Sequence, residues 1–190
     1  MRTIPPHVTL ALLLLLPPAL TQAAEPRALR GPYVETDALQ VVLIPRTPEQ
    51  MAAFYEARGF PPAAIERIRR TCFVTVHIEN RSRDIIWLDL DQWTFTSAGQ
   101  PLHRLAGTDW NAQWDEIDLR QASRSTFGWT QLPALRDLQP DESVGGNLVF
   151  PGDTGTLTVA ARFPVGAGRQ GKALAVGFGG IQCGQAAATP

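Results

Sequence analysis

Two stretches of this chain alternate polar and apolar residues with period two. In Cys72 to Ile78 the even positions Cys72, Val74, Val76 and Ile78 are apolar, and Phe73, Thr75 and His77 fall on the other face. In Thr156 to Phe163, Leu157, Val159, Ala161 and Phe163 alternate with Thr156, Thr158 and Arg162. This is the spacing of a strand with one buried face, whereas a helix would scatter the same side chains around its circumference. Ala38 to Ile44, Val144 to Phe150 and Ala173 to Phe178 predict further strands, and Leu102 to Leu105 a short one. After a turn at Asn80-Arg81-Ser82-Arg83-Asp84, Ile86, Leu88 and Leu90 share a face before the parity switches to Trp93 and Phe95. A hairpin is therefore expected there, with a bulge or bend near Asp91-Gln92. About seven short, two-faced strands point to a mainly β chain, an antiparallel β-sandwich.

Two helical insertions decorate the pattern, at about residues 47–70 and 109–130. Thr47-Pro48-Glu49-Gln50 reads as a helix start, with Thr as N-cap, Pro at the first helical position and Gln three after the cap. Met51, Phe54, Tyr55 and Arg58 follow at helical spacing, and Gly59 ends the helix. Pro61-Pro62 opens a second helix with Ile65 and Ile68 on one face and Arg67, Arg69 and Arg70 towards water. Asp109 is the expected cap of a helix carrying Trp110, Trp114 and Ile117, and a further helical piece runs from Leu119 to Trp129.

The first 24 residues have the layout of a cleavable secretory signal: Arg2, an apolar run over Leu10 to Leu16, then Thr21-Gln22-Ala23-Ala24. The run is shorter than the roughly 20 residues that span a bilayer, and no Cys near the cleavage point offers a lipid anchor. The 190 residues carry 17 basic and 18 acidic side chains. Cleavage would remove one base, Arg2, and no acid. The resulting balance excludes nucleic acid or anionic membrane held by charge alone. Arg is used almost to the exclusion of Lys, which fits a GC-rich bacterial genome and makes the periplasm the expected compartment. The only cysteines, Cys72 and Cys183, are expected to form one structural disulfide there. Residues 25–183 read as one domain, and 184–190 as a flexible tail.

Asp141 to Pro151, containing Gly146-Asn147-Leu148-Val149-Phe150, together with Ile78-Glu79-Asn80-Arg81-Ser82, resembles immunoglobulin-like domains of secreted bacterial proteins. The whole chain resembles small periplasmic proteins of proteobacteria. The resemblance implies an immunoglobulin-like sandwich and no particular activity.

Sites for chemistry are sparse. After export His77 and His103 are the remaining histidines, and Ser123, Ser125 and Ser143 lack a Gly-x-Ser-x-Gly elbow. No cofactor and no metal site is expected: a zinc or copper site would need more His, Met or free Cys than remain. Asp89-Leu90-Asp91 is expected to set both carboxylates on one face of a strand. Asp115, Glu116 and Asp118 are neighbours on a helix and do not face one another.

The tryptophans Trp87, Trp93, Trp110, Trp114 and Trp129 are the best lead. In one reading Trp110 and Trp114 pack their helix over the sandwich face that carries Trp87. In the other, some indoles stay exposed in a groove beside Arg81, Arg83, Asp89 and Asp91 and bind a peptide, sugar or partner protein. The expected function is a non-enzymatic periplasmic accessory or binding domain that engages another envelope protein. A carbohydrate-binding or carbohydrate-active protein and a purely structural envelope protein are the alternatives.

Overall fold

The structure is a computed structural model that describes residues 32–184. The expected leader over 1–24 and the expected tail beyond Gly184 lie outside the described residues. The chain opens with β1 (Tyr33–Glu35) and β2 (Leu39–Arg46), followed by α1 (Pro48–Glu56), α2 (Pro62–Arg69) and β3 (Thr71–Asn80). Next come β4 (Ile86–Asp89), a 3-10 turn (Leu90–Gln92), β5 (Thr94–Ser97) and β6 (Gln100–Pro101). Two helices, α3 (Gly107–Asp115) and α4 (Gln121–Trp129), precede β7 (Leu135–Leu138), β8 (Ser143–Pro151), β9 (Thr156–Val165) and β10 (Gly171–Gln182). All strand pairs among these elements are antiparallel.

One sheet has the order β1-β2-β3-β8. In the other, β9 holds β10 along one edge, while β5 and β4 follow one another along the opposite edge and carry β6 and β7 outside them. The period-two pattern does what a half-buried strand requires. Cys72, Val74, Val76 and Ile78 of β3 join Leu148 and Phe150 of β8 and Leu157, Val159, Ala161 and Phe163 of β9 in one apolar core shared by the two sheets. The other face of the first sheet is covered too. Phe73 and Val149 point away from the shared core into a second one, built with Met51, Tyr55, Ile65, Ile68, Trp110, Trp114 and Phe127 of the four helices. The molecule is therefore mainly β, with antiparallel sheets and one helical layer. Among the described residues no helix is long and apolar enough to cross a membrane.

The helix start at Thr47 forms as its residues dictate: the Thr47 hydroxyl accepts from the Gln50 amide and the Gln50 side chain accepts from the Thr47 amide. Asp109 plays a different part from the one expected. It is the third residue of α3, not its cap, and its carboxylate accepts from the Ala106 amide at 2.7 Å. The expected short strand at 102–105 reduces to β6 and two isolated backbone bonds, Leu102 N–H to Phe95 and Leu105 N–H to Val149. Of the bulge or bend expected near Asp91-Gln92, the chain takes the bend, as a 3-10 turn over Leu90–Gln92.

The turn at 80–84 is not a hairpin. β3 and β4 belong to different sheets, and the turn carries the chain between them. Asn80, fully buried, donates its amide to the Asp84 and Leu138 carbonyls at 2.8 and 2.9 Å and accepts from Ser82. A buried amide so completely satisfied holds the crossover shut, and its nitrogen is closed to glycosylation despite the Asn-Arg-Ser sequence. A second crossover runs from α4 to β7. Thr130 to Leu132 pass along the edge of β8, bonded through Asn147 N–H to Thr130 O (2.9 Å) and Leu132 N–H to Asn147 O (3.0 Å). Gly146 lets it pass: a Cβ there would stand 2.4 Å from the Leu132 nitrogen.

The basic residues of α2 do not gather into a patch. Arg67 pairs with Glu116, Arg69 with Glu56 and Arg70 with Glu66. Cys72 and Cys183 stand at disulfide-bonding distance, with Cα atoms 5.3 Å apart, and span 111 residues between the two sheets. A link closing so long a loop stabilises by about 4–5 kcal/mol in the chain-entropy account. Replacing both cysteines by Ser should therefore lower the melting temperature by roughly 10 °C or more, read by circular dichroism; an unchanged melt would show the link to be dispensable. Gly146→Ala should destabilise by about 1–3 kcal/mol or more in urea unfolding, because the crossover backbone must move.

Candidate functional site

The structure sorts the five tryptophans into three environments. Trp93 lies between the sheets against Phe95 and Phe163, with ring centroids 6.3 and 5.4 Å away. Trp110 and Trp114 stack at 4.8 Å and pack on Phe127. They are buried, as the packing reading expects, but over a different face. Their neighbour across the sheet is Phe73, whereas Trp87 sits on β4 in the other sheet. Because β3 and β4 are joined by a crossover, the outer-face aromatics of the two strands point to opposite sides of the molecule.

Trp87 is half-buried by the β9–β10 loop. Its Nε1 donates to the Gly166 carbonyl at 3.0 Å, and the Arg169 guanidinium lies 4.1 Å from the ring centroid while pairing with Asp89 at 3.3 Å. The loop reaches back through positive φ at Gly166 and Arg169. This closed stack of loop, cation and ring occupies the indole face that a ligand would use. Asp89 also accepts from the Asp91 amide as cap of the 3-10 turn, so the two carboxylates are not partners on one strand face: β4 ends at Asp89 and Asp91 turns out to solvent. Arg81 is engaged in the first sheet with Glu35, Glu79 and Gln40, and Arg83 is exposed on the crossover turn. The expected groove uniting the indoles with Arg81, Arg83, Asp89 and Asp91 does not form. Asp115 and Glu116 are spent on Arg124 and Arg67. No group of three or more metal-ligating side chains occurs among the described residues.

Trp129 is the exception, 89 % exposed at the end of α4. Beside it opens a groove of about 410 Å³, lined by Arg46, Gln50, Phe54, Thr75, Gly145 and Asn147 among others. The groove exists because the helices cover only one end of the first sheet: Phe73 is buried, Thr75 half-buried and His77 exposed along the same face of β3.

The floor is a bonded polar chain. Arg46 Nε donates to the Thr75 hydroxyl at 2.9 Å, which donates to Asn147 Oδ1 at 2.8 Å. Asn147 Nδ2 donates to the Thr130 carbonyl at 3.0 Å. The one Thr130 hydroxyl proton goes to Phe127 O at 2.6 Å, so Tyr55 is the donor in its 2.6 Å contact with Thr130 Oγ1. Gln131 Nε2 donates to the Tyr55 oxygen at 3.4 Å. Burial pushes the Tyr55 phenol up to about 12, against the pull of its hydrogen-bond partners.

Sequence reasoning did not find Arg46, Tyr55, Thr75, Asn147 or Thr130 as a set. The signals available were the polar Thr75 on the outer face of β3 and the Gly145-Gly146 pair, which inside a strand marks close backbone approach.

No protein-family model matches the chain, and no curated protein matches it. Among solved structures, the yjhA protein of Bacillus subtilis is similar over 69 % of this chain and 77 % of its own, with a TM-score of 0.40 and 10 % identity. The ycdA protein of Bacillus subtilis is similar over 79 % of this chain at a TM-score of 0.39 and 12 % identity, and the chain spans 39 % of its length. Both likenesses are remote, and nothing about function is carried over from them.

The raised phenol sets an alkaline limit. A group whose folded pKa lies above its unfolded value of 10.0 lends stability that is complete below pH 10 and lost as pH rises towards about 12. In a Tyr33→Phe variant Tyr55 is the one remaining tyrosine. Its phenolate absorbance should rise with a midpoint of about 12 while the fold persists; ionisation two units lower in a still-folded protein would contradict the buried donor.

Proposed function

We propose that this chain is a non-enzymatic binding domain of the bacterial envelope, built on an immunoglobulin-like sandwich, exported to the periplasm, and engaging another envelope protein through the surface around Trp129. The carrying observation is the exposure of that single indole, 89 %, when the other four are buried or roofed. A large flat apolar ring held in water contributes nothing to this fold and offers a partner the kind of anchor on which interface energies concentrate. The groove supplies a rim to match: Phe54 with Arg58 3.4 Å from its ring centroid on one side, and the Arg46–Thr75–Asn147 chain on the other. A cysteine pair at bonding distance fits an oxidising compartment.

Trp129→Ala should leave the melting temperature unchanged, because little is buried there, and should weaken capture of the partner by at least about 2 kcal/mol, a loss of roughly 30-fold or more. The measurement is crosslinked pull-down from intact periplasm with mass spectrometry, variant against wild type. Equal recovery of the same partner by both proteins would sink the proposal. A glycan array that wild type binds and the variant does not would replace the protein partner by a carbohydrate.

A further inference from the structure

A second hollow, of about 220 Å³ and half enclosed, lies between α3, α4 and the crossover that follows them. Asn147 is the one residue it shares with the Trp129 groove. Its walls are aromatic and aliphatic, from Trp110, Trp114, Phe127, Leu105 and Val149, and its two charged groups are both cations, Arg104 and Arg124. No Asp or Glu lines it. We propose that this hollow binds a small organic carboxylate with a single-ring or similarly compact apolar body.

Four observations support that assignment. Size comes first: a cavity of about 150 Å³ accommodates a benzene ring, so this one has room for a ring and a carboxylate. Charge comes second. Arg124 is already committed, its Nε to Leu119 O at 2.7 Å and its Nη1 to Asp115, whereas Arg104 has no hydrogen bond or ion pair among the described residues. Arg104 is half-buried at the wall of an acid-free hollow, and a guanidinium is complementary to a carboxylate, which it grips through a bidentate fork. Third, Ala106, at the cap position of α3, has no side chain that can accept, and the one carboxylate at that helix start, Asp109, is committed to the Ala106 amide at 2.7 Å and does not line the hollow. Fourth, Trp110 is 2 % exposed and its Nε1 has no hydrogen-bond partner. Buried indole donors without an acceptor are uncommon; of the two among the described residues, Trp93 lies in the core between the sheets and Trp110 in a wall of the hollow.

The probes are benzoate and phenylacetate, with benzamide as a neutral match for benzoate. The readout is the indole N–H region of the NMR spectrum, in which Trp110→Phe identifies the Trp110 signal. Benzoate or phenylacetate should shift that signal saturably. Benzamide should bind at least about tenfold more weakly, and Arg104→Gln should weaken benzoate to a similar degree without moving the melting temperature. Trp129→Ala should leave benzoate binding unchanged, which separates this site from the partner surface. The proposal is overturned if neither carboxylate gives a saturable shift, if benzamide binds as well as benzoate, or if the shifts fall on Trp129 alone. Should Arg104→Gln fail to fold, the comparison of benzoate with benzamide on the unaltered protein decides the question by itself.

Discussion

β3 buries one face along its length and, at Phe73, the other face as well, and the rest of the architecture answers to that. Its even positions need a second sheet, which β9 supplies through Leu157, Val159, Ala161 and Phe163. Its odd position Phe73 needs a cover of its own, which the helices supply through Tyr55, Trp110 and Phe127. Burying a large aromatic side chain on the outer face of a sheet contributes about 1.5–3 kcal/mol. Leaving it exposed would also present an apolar patch to solvent. The two helical insertions are thus a third layer required by the strand at the centre, and not ornaments on a two-layer body.

Covering only part of the sheet has consequences. The helices stop at Thr75, where the side chains of β3 turn polar, and the hydrogen-bonded chain from Arg46 to Tyr55 marks the boundary between a dry core and an open face. Trp129 stands at that boundary because α4 ends there and the crossover along β8 begins. The cavity beneath α3 arises from the same geometry. Where the crossover leaves the helical layer for the other sheet, helices and strand edge diverge, and the space is bounded by rings that also belong to the second core.

Much of this was legible residue by residue. Alternation located β3 and β9 to within a residue or two, and Thr47 with Gln50 marked the start of α1 by a mechanism that acts over four residues. The failures share a cause. Asn80 to Asp84 has the composition of a hairpin turn, yet its outcome depends on the Leu138 carbonyl, 58 residues away, which captures the Asn80 amide. Asp89 and Asp91 look like a carboxylate pair only while the strand continues; the turn that Asp89 itself caps separates them. Trp87 and Phe73 occupy the same face in a paired hairpin and opposite sides of the molecule once the connection crosses between sheets.

By itself the sequence determined much that is governed by period and by neighbours: strands with one oily face, two helical segments with the start signals of α1 and α2, and a cysteine pair suited to an oxidising compartment. Only the tertiary structure decided which indole stays in water, which arginines are left without an acid, and that the indole nitrogens of Trp93 and Trp110 are buried without an acceptor. Exposure is not a property of a residue or its near neighbours. It depends on what the chain brings over that residue from far along its length, and here that was set by two crossovers between sheets, at Asn80 and at Thr130 to Leu132, that no local pattern encodes.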